Sequence, residues 1–306
     1  MLDDGKLPQN QVGVLGATSL VGGCLLPLLT EAGFDVTACS RQAVSRHDEG
    51  VEWRQLPTAG LPDLAKGETV TPLWICVAPI WVLPDYFALL DAQGARRVVA
   101  LSSTSRYTKN DSTDPEEQAV ALRLADAEAR VQAWAKSRGV EWVILRPTLI
   151  YGLGQDKNIA EIARVIGRFG FFPLFGKADG LRQPIHAADV AGACLAALLT
   201  PCAANRDYAI SGGETLSYRN MVALIFTALG RRQRLLTVPL WVFRLTVAVL
   251  RRLPRYRQWS AAMAERMGRD LVFDHSEAAR DLGFNPRALV LTAAELPRGL
   301  AKKRKS

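Results

Sequence analysis

The stretch Gly16-Ala17-Thr18-Ser19-Leu20-Val21-Gly22 follows an apolar run, Gln11–Leu15, and opens a helical pattern. Small residues in a strand-to-helix turn let the backbone close on an anion, and the unpaired N–H groups of the first helical turn then point at it. A pyrophosphate suits that arrangement. Gly16 permits the sharp turn, Thr18 and Ser19 bring hydroxyls to it, Leu20 and Val21 supply first-turn amides, and Gly22 lets the helix pack closely on the strand. Ser19 stands where the usual spacing has its middle glycine. The next run, Asp35–Ser40, ends without a carboxylate and continues into Arg41, with Arg46 nearby. An acid there would take the ribose 2′-hydroxyl of NAD, whereas a hydroxyl and a planar guanidinium suit a 2′-phosphate. Ser40 and Arg41 therefore predict NADP(H), with NAD(H) as the alternative.

Such a turn works only if a sheet holds it. Gln11–Leu15, Asp35–Ser40, Val51–Gln55, Leu73–Val77, Arg97–Leu101 and Glu141–Leu145 are short β-type runs, the last three of the kind buried on both faces of a parallel sheet. Helical stretches alternate with them: Leu20–Ala32, which contains Pro27, then Asp85–Gln93, then Pro115–Ser137. Asp114 reads as the N-cap of the long helix, with Pro115 in its first position. The alternation predicts an α/β fold, a Rossmann doubly wound parallel sheet over residues 1–155 with 184–213. Past Tyr151 the pattern loosens. Helices are expected at 158–168, 188–199, 218–229 and 241–250, an aromatic loop at 169–176, and short strands at 208–211 and 271–275. Residues 156–183 with 214–300 would form a smaller, mostly helical C-terminal substrate lobe, and 301–306 a basic tail.

Several segments together resemble the short-chain dehydrogenase/reductase superfamily, in its extended and atypical branch of nucleotide-sugar epimerases and dehydratases. They are Gly16–Gly22, Val98–Leu101 running into Ser102-Ser103-Thr104-Ser105, Val143–Gly152, Arg182–Val190 and Tyr208–Gly213, in the family's order and almost end to end. The resemblance implies that Ala78 and Pro79 pass beneath the cofactor ribose, that Ser102 and Ser103 line the cofactor, and that Pro147 and Thr148 lie beside the nicotinamide. It also implies that Arg182 clasps a substrate diphosphate, while His186 and Asp189 serve structural hydrogen bonds and a helix cap. Oxidoreductases of the family use Tyr-x-x-x-Lys on the long helix, the tyrosine acting as general acid or base. Counted from Glu128, those positions are Val120 and Leu124, and neither side chain moves a proton. Three readings stay open. Thr104 and Tyr107, with Lys109, could supply a substitute acid/base group; Arg123 could hold the ribose while another group reacts; or the cofactor is bound without turnover. The activity implied is that of an NADP(H)-binding epimerase/dehydratase-like oxidoreductase acting on a nucleotide-sugar or similar phosphorylated small molecule. The alternative is a non-catalytic NADP(H)-binding protein, membrane-peripheral or part of an assembly.

Of 306 residues, 49% are hydrophobic and 22% charged, an ordinary globular balance. The net charge of +8 concentrates in the last quarter. Nucleic acid, an anionic membrane or a phosphorylated substrate would each suit it, but no zinc-finger spacing or RNP motif supports a nucleic-acid partner. Leu235–Leu250 is apolar yet interrupted by Pro239 and Arg244, too short a run to span a bilayer. With Arg251, Arg252, Arg255 and Arg257 behind it, residues 235–257 read as a basic amphipathic segment on an anionic membrane, as part of a substrate-gripping lobe, or as a core helix with charged flanks. The polar start Met1–Asn10 predicts no secretory signal. A cytoplasmic location is expected, with peripheral contact at the inner face of the membrane as the addition. The five cysteines form no CxxC pair; they are expected to be reduced and buried, with no metal site.

Overall fold

The computed structural model describes residues 10–45, 47–56, 70–110, 112, 114–239, 241 and 265–300. Arg46, the predicted helix 241–250 apart from Trp241, most of 235–257 and the basic tail 301–306 lie outside the described residues. In chain order the elements begin with β1 (Gln11–Leu15), α1 (Leu20–Glu31), β2 (Asp35–Ser40), β3 (Val51–Gln55) and β4 (Leu73–Cys76). A 3-10 turn, Ile80–Tyr86, leads to α2 (Phe87–Ala92), β5 (Arg97–Leu101), α3 (Ser105–Thr108), α4 (Pro115–Arg138), β6 (Glu141–Pro147) and β7 (Ile150–Tyr151). Then come α5 (Ile159–Phe169), β8 (Phe172–Phe175), β9 (Leu181–Arg182), β10 (Ile185–His186), α6 (Ala187–Leu199) and β11 (Arg206–Ile210). β12 (Leu216–Ser217), α7 (Tyr218–Ala228), β13 (Leu235–Val238) and α8 (Ser276–Leu282) complete them.

Seven strands pair in parallel in the order β11-β6-β5-β4-β1-β2-β3. The order reverses between β1 and β4, as in a doubly wound Rossmann sheet. Period-two alternation divides each strand between two cores. Val12, Val14, Val99, Leu101, Val143 and Leu145 face α1 and α6. Trp74, Cys76, Val98, Ala100 and Ile144 face the other side, where α4 lays Leu124, Ala127, Val131, Trp134 and Ala135 against them at helical spacing. Asp114 caps α4 by accepting from the Glu116 N–H at 3.0 Å, Pro115 follows in its first turn, and Gly139 ends it with φ +67°. Pro27 lies inside α1 without ending it.

A third core joins α5, α7 and β8 through Ile159, Ile166, Leu174, Met221, Ile225 and Phe226. Ala278, Leu282 and Phe284, around α8, bury instead in the core beneath the sheet. Three expectations change here. The aromatic loop 169–176 contains a strand, β8, because Phe172 and Leu174 bury on one side while β13 supplies backbone partners. The predicted strand 271–275 is reduced to one bridge, Leu271 with Arg182. Of the cysteines, Cys39, Cys76 and Cys194 are buried thiols, Cys24 is half-buried, but Cys202 is exposed at the loop after α6. Among the described residues no helix is long and apolar enough to cross a membrane.

One buried ion pair fastens α4 to the end of the sheet. Glu128, 1% exposed, accepts from Arg146 Nε at 3.0 Å and from its terminal nitrogen at 2.7 Å, and also from Ser102 Oγ and Arg106. Arg146 reaches Asp207 on β11 at 2.6 Å as well. Burial alone would lower the pKa of Arg146, but its hydrogen bonds to Glu128 and Asp207 outweigh burial and raise it. Removing one partner of such a pair leaves a buried charge unmatched. Glu128→Ala is therefore expected to cost about 3–5 kcal/mol in urea unfolding; a loss below about 1 kcal/mol would show that the pair behaves as a surface contact.

Candidate functional site

The chains leaving β1 and β4 diverge at the reversal point, one into α1 and the other into the 3-10 turn, and a cleft of about 390 Å³ opens between them. Gly16, Thr18, Ser40, Arg41, Ala78 and Pro79, all singled out from sequence, line it. Leu15, Cys39, Gln42, Leu56, Val82 and Tyr86 complete the wall. The last three went unread because β3 and the 3-10 turn carry no recognisable motif; the signal available was their place just after strands beside the turn. Gly16 has φ +83°, and a Cβ on it would lie 2.4 Å from the Ala78 nitrogen. A Cβ on Gly22 would lie 2.4 Å from the Ala17 carbonyl oxygen. Both glycines are thus demanded by close backbone approach. Ser19 is the N-cap of α1; its Oγ accepts from the Gly22 N–H at 3.1 Å, leaving Leu20 and Val21 as first-turn amides without an acceptor inside the helix.

At the far end of the cleft Ser40 Oγ accepts from the Gln42 N–H at 3.1 Å, and Gln55 Nε2 donates to the Arg41 carbonyl at 3.3 Å. These bonds shape the β2 exit. Among the described residues Arg41 has no carboxylate partner, and its side chain is exposed. Burial raises the Tyr86 hydroxyl pKa, with Arg41 opposing. Polar groups therefore gather at one end and apolar side chains along the wall, the division required by a nucleoside bearing an anionic substituent.

A second group forms at the ends of β5 and β6. Thr104 is buried, and both its N–H and its Oγ1 donate to the Pro147 carbonyl, at 3.2 and 3.1 Å. Ser102 donates to Glu128, and Ser103 Oγ accepts from the Ser105 N–H at 3.1 Å. Thr148 donates its N–H to the Ile210 carbonyl and its hydroxyl to the Gln183 carbonyl. Tyr107, on α3, is 49% exposed, with the Arg146 and Arg106 guanidinium carbons 5.4 and 5.7 Å from its ring centre and Phe273 beside it. Its neighbour Lys109 is half-buried; burial and then Arg266 lower its pKa, against Glu117 and Asp114. On α4, Leu124 lies in the core, Val120 packs at its edge, and Arg123 stacks 4.6 Å over Trp81.

Arg182 is the last residue of β9. It is 4% exposed and donates to the carbonyls of Leu181 at 2.8 Å, of Arg269 at 2.7 Å and of Arg266. Burial lowers its pKa to about 10. The guanidinium thus clasps the returning segment 265–271, a task its sequence context did not reveal. Glu117 pairs with Arg266 at 2.8 Å, and Arg269 donates to the Thr108 carbonyl at 3.3 Å, so the same segment is also tied to the α3–α4 connection. His186 caps α6 through Nδ1, which accepts from the Ala188 N–H at 3.1 Å, while Nε2 meets Glu295. Asp189 pairs with Arg287 at 2.8 Å.

Residues 86–211 match the model of the NAD dependent epimerase/dehydratase family. A UDP-glucose 4-epimerase of Vibrio cholerae is 25% identical over 92% of each chain. Among solved structures, a UDP-N-acetylglucosamine 4-epimerase from Bacillus cereus aligns with TM-score 0.68 at 16% identity, over 93% of this chain and 94% of that one. A UDP-glucuronic acid 4-epimerase from the same organism, in complex with NAD, aligns with TM-score 0.67 at 14% identity, over 93% and 95%. The UDP-glucose 4-epimerase of Thermotoga maritima, with UDP-glucose, gives TM-score 0.64 at 15% identity, over 90% and 93%. The resemblance read from the sequence therefore holds for the fold, and the family model matches the middle of the chain, residues 86–211.

The cleft makes the turn testable. Gly16→Ala would force a β-carbon onto Ala78 at a positive φ; it is expected to destabilise the chain by at least about 1 kcal/mol and to abolish the rise in NADPH fluorescence on binding. Unchanged binding would contradict the role given to this turn.

Proposed function

We propose that the chain, with this likeness to the NAD-dependent epimerase/dehydratase family, is an NADP(H)-binding epimerase-like oxidoreductase acting on a nucleotide-sugar or similar phosphorylated small molecule. The observation that carries the reading is the cleft at the sheet's reversal point, where Gly16 meets Ala78 and Arg41, with no carboxylate partner among the described residues, stands at the far rim. When bound, the dinucleotide supplies hydride transfer. Thr18, Leu20 and Val21 would hold its pyrophosphate, with Ser19 and Gly22 fixing the helix end; Ala78 and Pro79 would underlie a ribose; Ser40 and Arg41 would take the 2′-phosphate. Ser102, Ser103, Pro147 and Thr148 would shape the nicotinamide end through the hydrogen-bonded frame around them. In this reading residues 1–155 with 184–213 carry the cofactor, and 156–183 with 214–300 form the substrate lobe. Arg182 serves that lobe by setting the segment that carries Arg266 and Arg269.

For proton movement we assign Tyr107 and Thr104. The exposed phenol of Tyr107 would exchange the proton with a substrate hydroxyl, and Thr104, whose hydroxyl donates to the Pro147 carbonyl, keeps oxygen lone pairs to accept a hydrogen bond from that substrate hydroxyl. A specific observation favours the second reading, cofactor binding without turnover: Val120 and Leu124 stand where the resemblance puts the tyrosine and lysine, and Leu124 is packed in the core. We place the protein in the cytoplasm, with a peripheral contact of 235–257 at the inner membrane face.

Arg41→Ala is expected to weaken NADPH binding by about 1.5–3 kcal/mol and to leave NADH nearly unchanged; equal losses for both would remove the 2′-phosphate assignment. Tyr107→Phe is expected to lower the turnover of bound NADPH with UDP-sugars by about 10²–10⁴-fold without changing NADPH affinity. Wild-type chain that binds NADPH but turns it over with no UDP-sugar tried would favour the non-catalytic reading.

A further inference from the structure

In the C-terminal lobe β8 and β13 run as a parallel ribbon, Leu235 beside Phe172 and Val238 beside Phe175. Strand alternation turns Phe172 and Leu174 inward, where both are buried. The same period turns Pro173 and Leu236 outward, together with Phe171 and Arg234 one step before the pairing. On that side Phe171 is 40% and Leu236 54% exposed. Phe169, its ring 6.2 Å from that of Phe171, is 58% exposed, and Trp241, three residues beyond β13, is 69% exposed. Single exposed apolar side chains are ordinary; aromatic and aliphatic ones gathered in two adjoining segments mark a surface that meets something.

The charge around them selects what that is. The Arg168 guanidinium lies 5.4 Å from the Phe169 ring centre, and Arg232 and Arg234 are exposed beside the ribbon. Residues 165–176 and 231–239 carry Arg168, Arg231, Arg232 and Arg234 and no aspartate, glutamate or lysine. A nucleic acid would use the arginines and could stack a base on Phe169, but it would gain little from the aliphatic Leu236. A headgroup layer uses both, since aromatic rings and arginine stems settle at its depth while the guanidinium meets lipid phosphate.

We infer that the outward face of the β8–β13 ribbon, with Phe169 and Trp241, is a docking surface for an anionic lipid bilayer. The inference rests on the peripheral-membrane part of the reading above and moves its centre from 235–257 onto the ribbon.

The test is sedimentation of the full chain with pure phosphatidylcholine vesicles and with mixed phosphatidylcholine–phosphatidylglycerol vesicles. Wild-type chain is expected to bind the mixed vesicles in a salt-sensitive way, with the Trp241 emission moving to the blue; Trp241→Phe would lose that shift. Two double variants, Phe169→Ser with Leu236→Ser and Arg232→Gln with Arg234→Gln, are each expected to weaken binding by about tenfold or more while the NADPH titration stays as in wild type. The arginine pair decides the matter should the serine pair fail to fold. Undiminished binding by a folded arginine variant would overturn the surface while sparing peripheral attachment. No binding of wild type to mixed vesicles would overturn both. Tight binding of a single-stranded RNA that displaces the vesicles, unaffected by the serine pair, would overturn the lipid assignment in favour of nucleic acid.

Discussion

Between β1 and β4 the backbone closes until a single added carbon on Gly16 would stand 2.4 Å from the Ala78 nitrogen. This approach is the constraint on which the rest depends. It requires β1 and β4 to be sheet neighbours, which the strand order supplies, and it requires their exits to diverge, which opens the cleft between α1 and the 3-10 turn. It also requires a glycine at φ +83°, because an L side chain there would be strained even without the contact. Ser19 then closes the first turn of α1 onto its own hydroxyl, so that the helix end is held before any ligand arrives.

At the other end of the site a different interaction does the positioning. Glu128, Arg146, Arg106, Ser102 and Asp207 join α4 to β5, β6 and β11, and two of the arginines stand over the ring of Tyr107. The long helix contributes a buried carboxylate for anchoring and apolar side chains for packing. In the proposed function binding and chemistry fall to separate parts of the fold: the proposed dinucleotide cleft to β1, β2 and β4, and the proposed proton transfer to the short turn after β5.

How much could be read from the residues follows from how local each signal is. Strands β4, β5 and β6 were legible because they are apolar on both faces, and α4 because Asp114, Pro115 and Gly139 mark its ends. The turn at Gly16 was legible because strand, glycine and helix follow one another directly. β8 was hidden: four residues of Phe-Pro-Leu-Phe look like a loop until β13, about sixty residues away, supplies hydrogen bonds. The contacts of Arg182 were hidden for a similar reason, since the carbonyls of Arg266 and Arg269 that it meets lie more than eighty residues on. Leu56, Val82 and Tyr86 reach the cleft only through the sheet's geometry.

We propose that this chain carries a dinucleotide site built for the phosphorylated ribose. Its most direct test is an equilibrium titration of the full chain with NADPH and with NADH, followed by nicotinamide fluorescence at fixed ionic strength. Saturable binding of both is expected, with NADPH tighter by about tenfold or more, the size of one charged hydrogen bond. Saturable binding of neither, or equal affinity for the two, would contradict it.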